Sequence, residues 1–214
     1  MRKWVRACAC AASLAFPASA AAAPMGFKDS WMMMGDFGPG WREAWLNYAF
    51  TPRDAVGPSV VRMRSDDGAM TRDVVEIAYT RLVHRWNLPH AQANIWFMGG
   101  LGAVRGTDLS TRTSMTPGFQ VDFETTRVYF AVVGRLYRAK DVRNDYGSVR
   151  AGFSFYETDY DEVQPWLLLE ARRMRGMSER TEVTPMLRLV HNRYFVELGV
   201  NNSSQARVNF MYVF

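Results

Sequence analysis

The residues best placed for chemistry are charged, and they alternate with apolar positions along the chain. They are Glu43, Arg62, Glu76, Asp122, Glu124, Arg135, Arg150, Glu170, Arg172, Arg188, Glu197 and Arg207. Both signs are mixed. Gathered on one enclosed surface, such a set can act as a charged constriction that selects solutes. The same set can instead form a paired network that fills a narrow interior and rigidifies it. Glu170, Arg172, Arg188 and Glu197 lie on three successive segments and share one parity, so they are expected to pair across strands. The histidines are His84, His90 and His191. His84 and His90 flank one turn, and His191 lies far along the chain. Metal ligands and catalytic groups must converge in space, so no catalytic or metal site and no cofactor is expected. Methionines such as Met32, Met33, Met34, Met63, Met98, Met186 and Met211 are scattered. Thioethers can hold copper(I), but scattered methionines are read more simply as adaptable apolar filler.

The elements that must position these side chains alternate at period two, which is the signature of strands whose faces meet different surroundings. The cleanest is 117–125, where Phe119, Val121 and Phe123 oppose Gln120, Asp122 and Glu124. Counted this way, strands are expected at 28–35, 41–50, 58–65, 73–84, 91–104, 117–125, 127–138, 147–157, 163–175, 182–191, 194–200 and 206–214. The segments 105–114 and 139–146 read as polar loops, and 36–40 reads as a turn. No stretch after the N-terminal segment has 18 or more consecutive apolar residues, so no transmembrane helix is expected. Yet aromatics make up 14% of the chain. Alternating lipid-facing and lumen-facing residues produce that mixture.

The two ends sharpen the class. Arg2, Lys3 and Arg6, the apolar run 7–16 and Ala18-Ser19-Ala20 read as a secretory signal peptide, residues 1–20, with a short segment 21–27 before a domain at 28–214. The apolar run is too short to be a membrane anchor. Cys8 and Cys10 leave with that peptide, so no disulfide is expected afterwards. Its loss also lowers the formal net charge of +5 by three. No clustered basic stripe remains of the kind that would serve a nucleic acid. The remaining cations are nearly all arginine, which forms bidentate pairs with carboxylates and phosphates.

At the other end Val208, Phe210, Tyr212 and Phe214 share one face. A soluble domain rarely ends in an exposed aromatic strand, because such an edge invites aggregation. A closing strand that ends in Phe resembles that of bacterial outer-membrane β-barrels. The resemblance implies an all-β, transmembrane, antiparallel up-and-down barrel of about twelve strands, exported to the outer membrane of a Gram-negative bacterium. It also implies that Phe210, Tyr212 and Phe214 form the signal read by the barrel insertion machinery. Outer-membrane lipids and small solutes are the other expected partners. A soluble β-sandwich or lipocalin-like barrel would show similar alternation, but not the aromatic terminal strand. The function expected first is a small porin-like channel with a charged lumen. The alternatives are a filled structural or partner-docking barrel and, further off, a lipid- or peptide-modifying enzyme.

Overall fold

The computed structural model describes residues 23–159 and 161–214, so the expected signal peptide lies outside the described residues. Among the described residues the chain is all strand and turn. In order the strands are β1 (Trp31–Phe37), β2 (Trp41–Ala49), β3 (Asp54–Arg64), β4 (Thr71–Leu88), β5 (Ala91–Gly106), β6 (Leu109–Met115), β7 (Gly118–Thr125), β8 (Val128–Ala139), β9 (Val142–Ser154), β10 (Gln164–Arg175), β11 (Thr181–His191), β12 (Tyr194–Val200) and β13 (Ala206–Val213). Each neighbouring pair is antiparallel, and β1 pairs with β13 to close the sheet into a barrel. β6 and β7 follow one another along β5 and together make a single stave. The thirteen strands therefore build a twelve-stave barrel, an even number of the kind bacterial single-chain barrels use.

The break inside that stave falls at Thr116-Pro117. Proline has no N–H to give the ladder, so regular pairing lapses there. Thr116 N still donates to Gly100 O at 2.9 Å, and Leu136 N to Pro117 O at 2.8 Å. The stretch expected as a polar loop, 105–114, is thus corrected. It is the end of β5, a two-residue turn and β6. Likewise 139–146 is mostly strand, with β8 ending at Ala139, a two-residue turn at Lys140-Asp141 and β9 beginning at Val142, and β1 runs on through Asp36. Loop-like composition in these places reflects strand ends that project beyond any apolar band.

Outward and inward faces differ as a barrel requires. Leu101 is 70% exposed, Val75 and Ile77 are each 59%, and Phe119 is 57%. Their inward neighbours Val74, Glu76 and Ala78 are buried. Among the described residues no helix is long and apolar enough to cross a membrane, and the apolar outer band belongs to strands.

The interior is layered. Near the rim that holds the start of β1 and the end of β13, here the terminal rim, Met32, Tyr129, Trp166, Phe195 and Val213 pack together. Near the opposite, distal rim lies a second cluster with Trp41, Met63, Val74, Tyr137 and Met174. The charged residues lie between. Ala23, Pro24 and Met25 also turn into the barrel at the terminal rim. Met25 packs with Ala49, Ala55, Leu82 and Trp96, and Asn47 Nδ2 donates to Pro24 O at 3.0 Å. The short N-terminal segment therefore fills part of the interior at the terminal rim.

Candidate functional site

The interior charges are carried by strands from every part of the barrel. Arg135 on β8 donates to Glu43 Oε1 on β2 at 2.9 Å and also bonds Glu76 on β4. Thr116, fully buried at the stave break, donates to Glu76 Oε2 at 2.6 Å and accepts from Arg135 at 3.1 Å. On the other wall Glu197 is shared. Arg150 Nη2 reaches Oε2 at 2.6 Å, Arg188 Nε reaches Oε1 at 2.6 Å, and Asn209 Nδ2 donates to Oε2 at 2.6 Å. Arg188 also lies over the rings of Tyr129 and Phe195, 4.7 and 4.8 Å from their centroids. That contact adds cation–π attraction to the pair.

Nearer the distal rim Arg207 spans Glu170 and Asp36, meeting both Asp36 oxygens at 2.8 Å. Arg172 joins Glu182 at 3.0 Å and Asp36 at 3.3 Å. Asp122 accepts from Asn94 at 2.6 Å, Trp96 Nε1 at 2.8 Å and Gln120 at 3.0 Å. Glu124 is buried beyond it, with no ion pair among the described residues. Outside the spanning segments, the exposed Asp108 in the β5–β6 turn is held below the usual carboxylate range by hydrogen bonds from Arg72.

The structure thus places Glu43, Glu76, Asp122, Glu124, Arg135, Arg150, Glu170, Arg172, Arg188, Glu197 and Arg207 inside. Arg62 is not with them. Val61 and Met63 take the inward positions of β3, and Arg62 points outward to Asp73 at 2.6 Å. The expectation failed because it assumed that the apolar face of β3 looks to lipid, whereas the distal end of the interior is itself apolar. The sequence pattern misses Asp36, which its composition places in a turn, and Glu182. For Glu182 the signal was present, since it shares the parity of Arg188. Phe210, Tyr212 and Phe214 are on the outer face. The histidines are apart: His84 packs on Trp86 and His191 on Tyr194.

Two cavities lie in series. One of about 280 Å³ opens at the distal rim, between Arg64, Asp66, Arg172, Arg180 and Asn202. The other, about 130 Å³, lies deeper among Asp36, Glu43, Arg135, Arg150, Glu170 and Asn209. Trp41 and Tyr146 line both. Their rings stack at 4.8 Å and 25°.

No family model and no curated protein matches the sequence. Among solved structures, the KdgM porin in complex with disordered oligogalacturonate aligns over 86% of this chain and 99% of its own, at 13% identity and a TM-score of 0.50. A further KdgM porin structure covers the same shares at 13% identity and a TM-score of 0.49. The chain has the fold of an outer-membrane β-barrel. At this identity the likeness concerns architecture, and it agrees with the outward apolar band and the closed antiparallel sheet. In such a barrel the ion-paired belt is the lumen wall, and the two cavities lie along the lumen.

Proposed function

We propose that this chain is a narrow porin-like channel of the Gram-negative outer membrane, with the terminal rim in the periplasm. The observation that carries the reading is the series of two cavities along the lumen, which share Trp41 and Tyr146 in their linings. An aromatic pair can move by side-chain rotation, whereas the strands behind it are fixed by their ladders. Around the belt and Asp122, the carboxylates Asp36, Glu43, Glu76, Asp122, Glu124, Glu170, Glu182 and Glu197 outnumber the guanidiniums of Arg85, Arg135, Arg150, Arg172, Arg188 and Arg207, while Arg72 and Arg112 turn inward nearer the distal rim. A belt with surplus carboxylate favours small cations and neutral solutes and disfavours polyanions. An oligogalacturonate, the ligand named for the KdgM complex, is a polyanion and is not expected here. Export and insertion by the barrel machinery belong to the same reading.

A second reading is favoured by the density of the interior, where Trp96, Arg188, Arg207 and Phe195 are almost fully buried. It makes the protein a filled barrel with no passage. Planar-bilayer recording of refolded protein separates the two. The channel reading expects small, cation-preferring single-channel steps, and a severalfold larger conductance for Trp41→Ala/Tyr146→Ala. A silent bilayer for both proteins establishes the filled barrel and removes the channel.

A further inference from the structure

The outward position of Arg62 belongs to a larger pattern. Across neighbouring strands near the distal rim, Arg42 faces Arg62, Arg62 faces Asp73, and Asp73 faces Arg105, all on the outer surface. Asp73 accepts from Arg62 at 2.6 and 3.1 Å and lies 3.5 Å from Arg105. One carboxylate thus serves two guanidiniums, and Arg42 stands beside them with no ion pair among the described residues. A second outward cluster lies on β8–β10. There Arg138 faces Arg143, Asp145 faces Arg175, and Arg173 follows on the same face. Asp145 pairs with Arg138. Arg143, Arg173 and Arg175 are exposed, with no ion pair among the described residues.

Two features make these clusters more than a solvated edge. Arg42 against Arg62 and Arg138 against Arg143 are like charges directly opposite one another, an arrangement that destabilises a sheet unless an anion lies between them. The apolar band also begins immediately beneath. The next outward row under the first cluster is Ala44, Val60, Val75 and Ala103. Under the second it is Val132, Val149 and Ala171. The guanidiniums therefore stand at the height of lipid headgroups. The terminal rim is different, with an outward surface of Trp31, Phe50, Trp86, Tyr194, Tyr212 and Phe214. Its outward Arg81 is already paired with Asp54 at 2.9 Å.

We propose that the two arginine clusters bind the phosphate groups of a phosphorylated lipid in the leaflet that meets the distal rim. Guanidinium forks match phosphate oxygens bidentately. An aromatic rim at one end and a phosphate-binding rim at the other hold the barrel at a fixed depth and orientation in an asymmetric bilayer. This rests on the reading of the chain as a membrane barrel.

The test uses the protein refolded in detergent micelles, with lipid adducts counted by native mass spectrometry. The probes are phosphatidic acid and phosphatidylcholine with the same acyl chains. Wild-type protein retains phosphatidic acid in preference. R42Q/R105Q, which spares the Arg62–Asp73 pair, and R143Q/R173Q/R175Q, which spares Arg138–Asp145, each lose affinity by roughly fivefold for every arginine removed. The matching lysine variants lose less, because charge is kept and the fork is lost. Arg53→Gln at the terminal rim changes nothing. Equal retention of both lipids, or adducts indifferent to both sets of variants, overturns the proposal. So does complete displacement by millimolar inorganic phosphate, which marks a site for soluble anions. The gel shift between boiled and unboiled protein is read in parallel. Its absence in wild type defeats the barrel reading itself, and its absence in one variant leaves the other cluster and the lysine set to decide.

Discussion

Glu197 holds two arginines at once, Arg150 and Arg188, each at 2.6 Å. Breaking a buried ion pair by removing one partner costs roughly 3–5 kcal/mol, because the other charge stays behind in a poor solvent. The two sides of this triad are unequal. Arg188→Ala leaves Glu197 with Arg150 and Asn209, so its cost should fall below that range, on the order of 2 kcal/mol. Glu197→Ala leaves two guanidiniums facing each other and should reach the range in full. Leu189→Ala, on the outer face at 40% exposure, should cost least of the three. Urea unfolding in detergent gives the order, and Arg188→Ala matching Leu189→Ala would show that the triad is not buried as described. Parity made most of this wall legible, since each of these residues alternates with lipid-facing neighbours. It failed at Arg62 because parity says which residues share a face and not which face looks inward. Near the distal rim, Val61 and Met63 are as apolar as anything in the outer band.

At the scale of the element, the twelve staves were readable where strands cross the apolar band and unreadable beyond it. β6, with its sequence Leu109-Ser110-Thr111-Arg112-Thr113-Ser114-Met115, has no apolar alternation because its outer face meets no lipid. The ladder with β5 gives it its form instead. The staves also need close approach at particular glycines. A Cβ on Gly102 would overlap the carbonyl oxygen of Val75 on the adjoining strand, whereas one on Gly134 meets nothing within 4 Å. Gly102→Ala should therefore destabilise the barrel by about 1–3 kcal/mol, the usual range for overpacking. Gly134→Ala should be neutral or stabilising by several tenths of a kcal/mol, about the gain from lower unfolded-chain entropy. The shift in urea midpoint with unchanged slope is the readout. A Gly102→Ala barrel as stable as Gly134→Ala would mean that β4 and β5 do not approach as closely as the ladder requires.

For the whole molecule the decisive join is between its two ends. β1 meets β13 from Met32 opposite Val213 to Phe37 opposite Val208. Beyond that ladder, Trp31 N donates to Phe214 O at 2.8 Å and Phe214 N to Trp31 O at 2.9 Å. Phe214 therefore has two separable parts. Its backbone completes the closure, and its ring stacks on Tyr212 at 5.5 Å on the outer face. The proposed function gives the ring a further expected role, as the mark by which the insertion machinery takes up the chain. The two parts answer differently to substitution. Phe214→Ala keeps both closing hydrogen bonds, so a purified variant should refold in detergent with a stability close to wild type. Deleting Phe214 removes both bonds and should cost about 1–3 kcal/mol, each net bond contributing about 0.5–1.5. In cells the order changes. If the ring is the mark, Phe214→Ala and the deletion should both reduce the amount of barrel in the outer-membrane fraction, and by similar factors. Full insertion of Phe214→Ala alongside poor insertion of the deletion would show that the chain end is needed only to close the sheet.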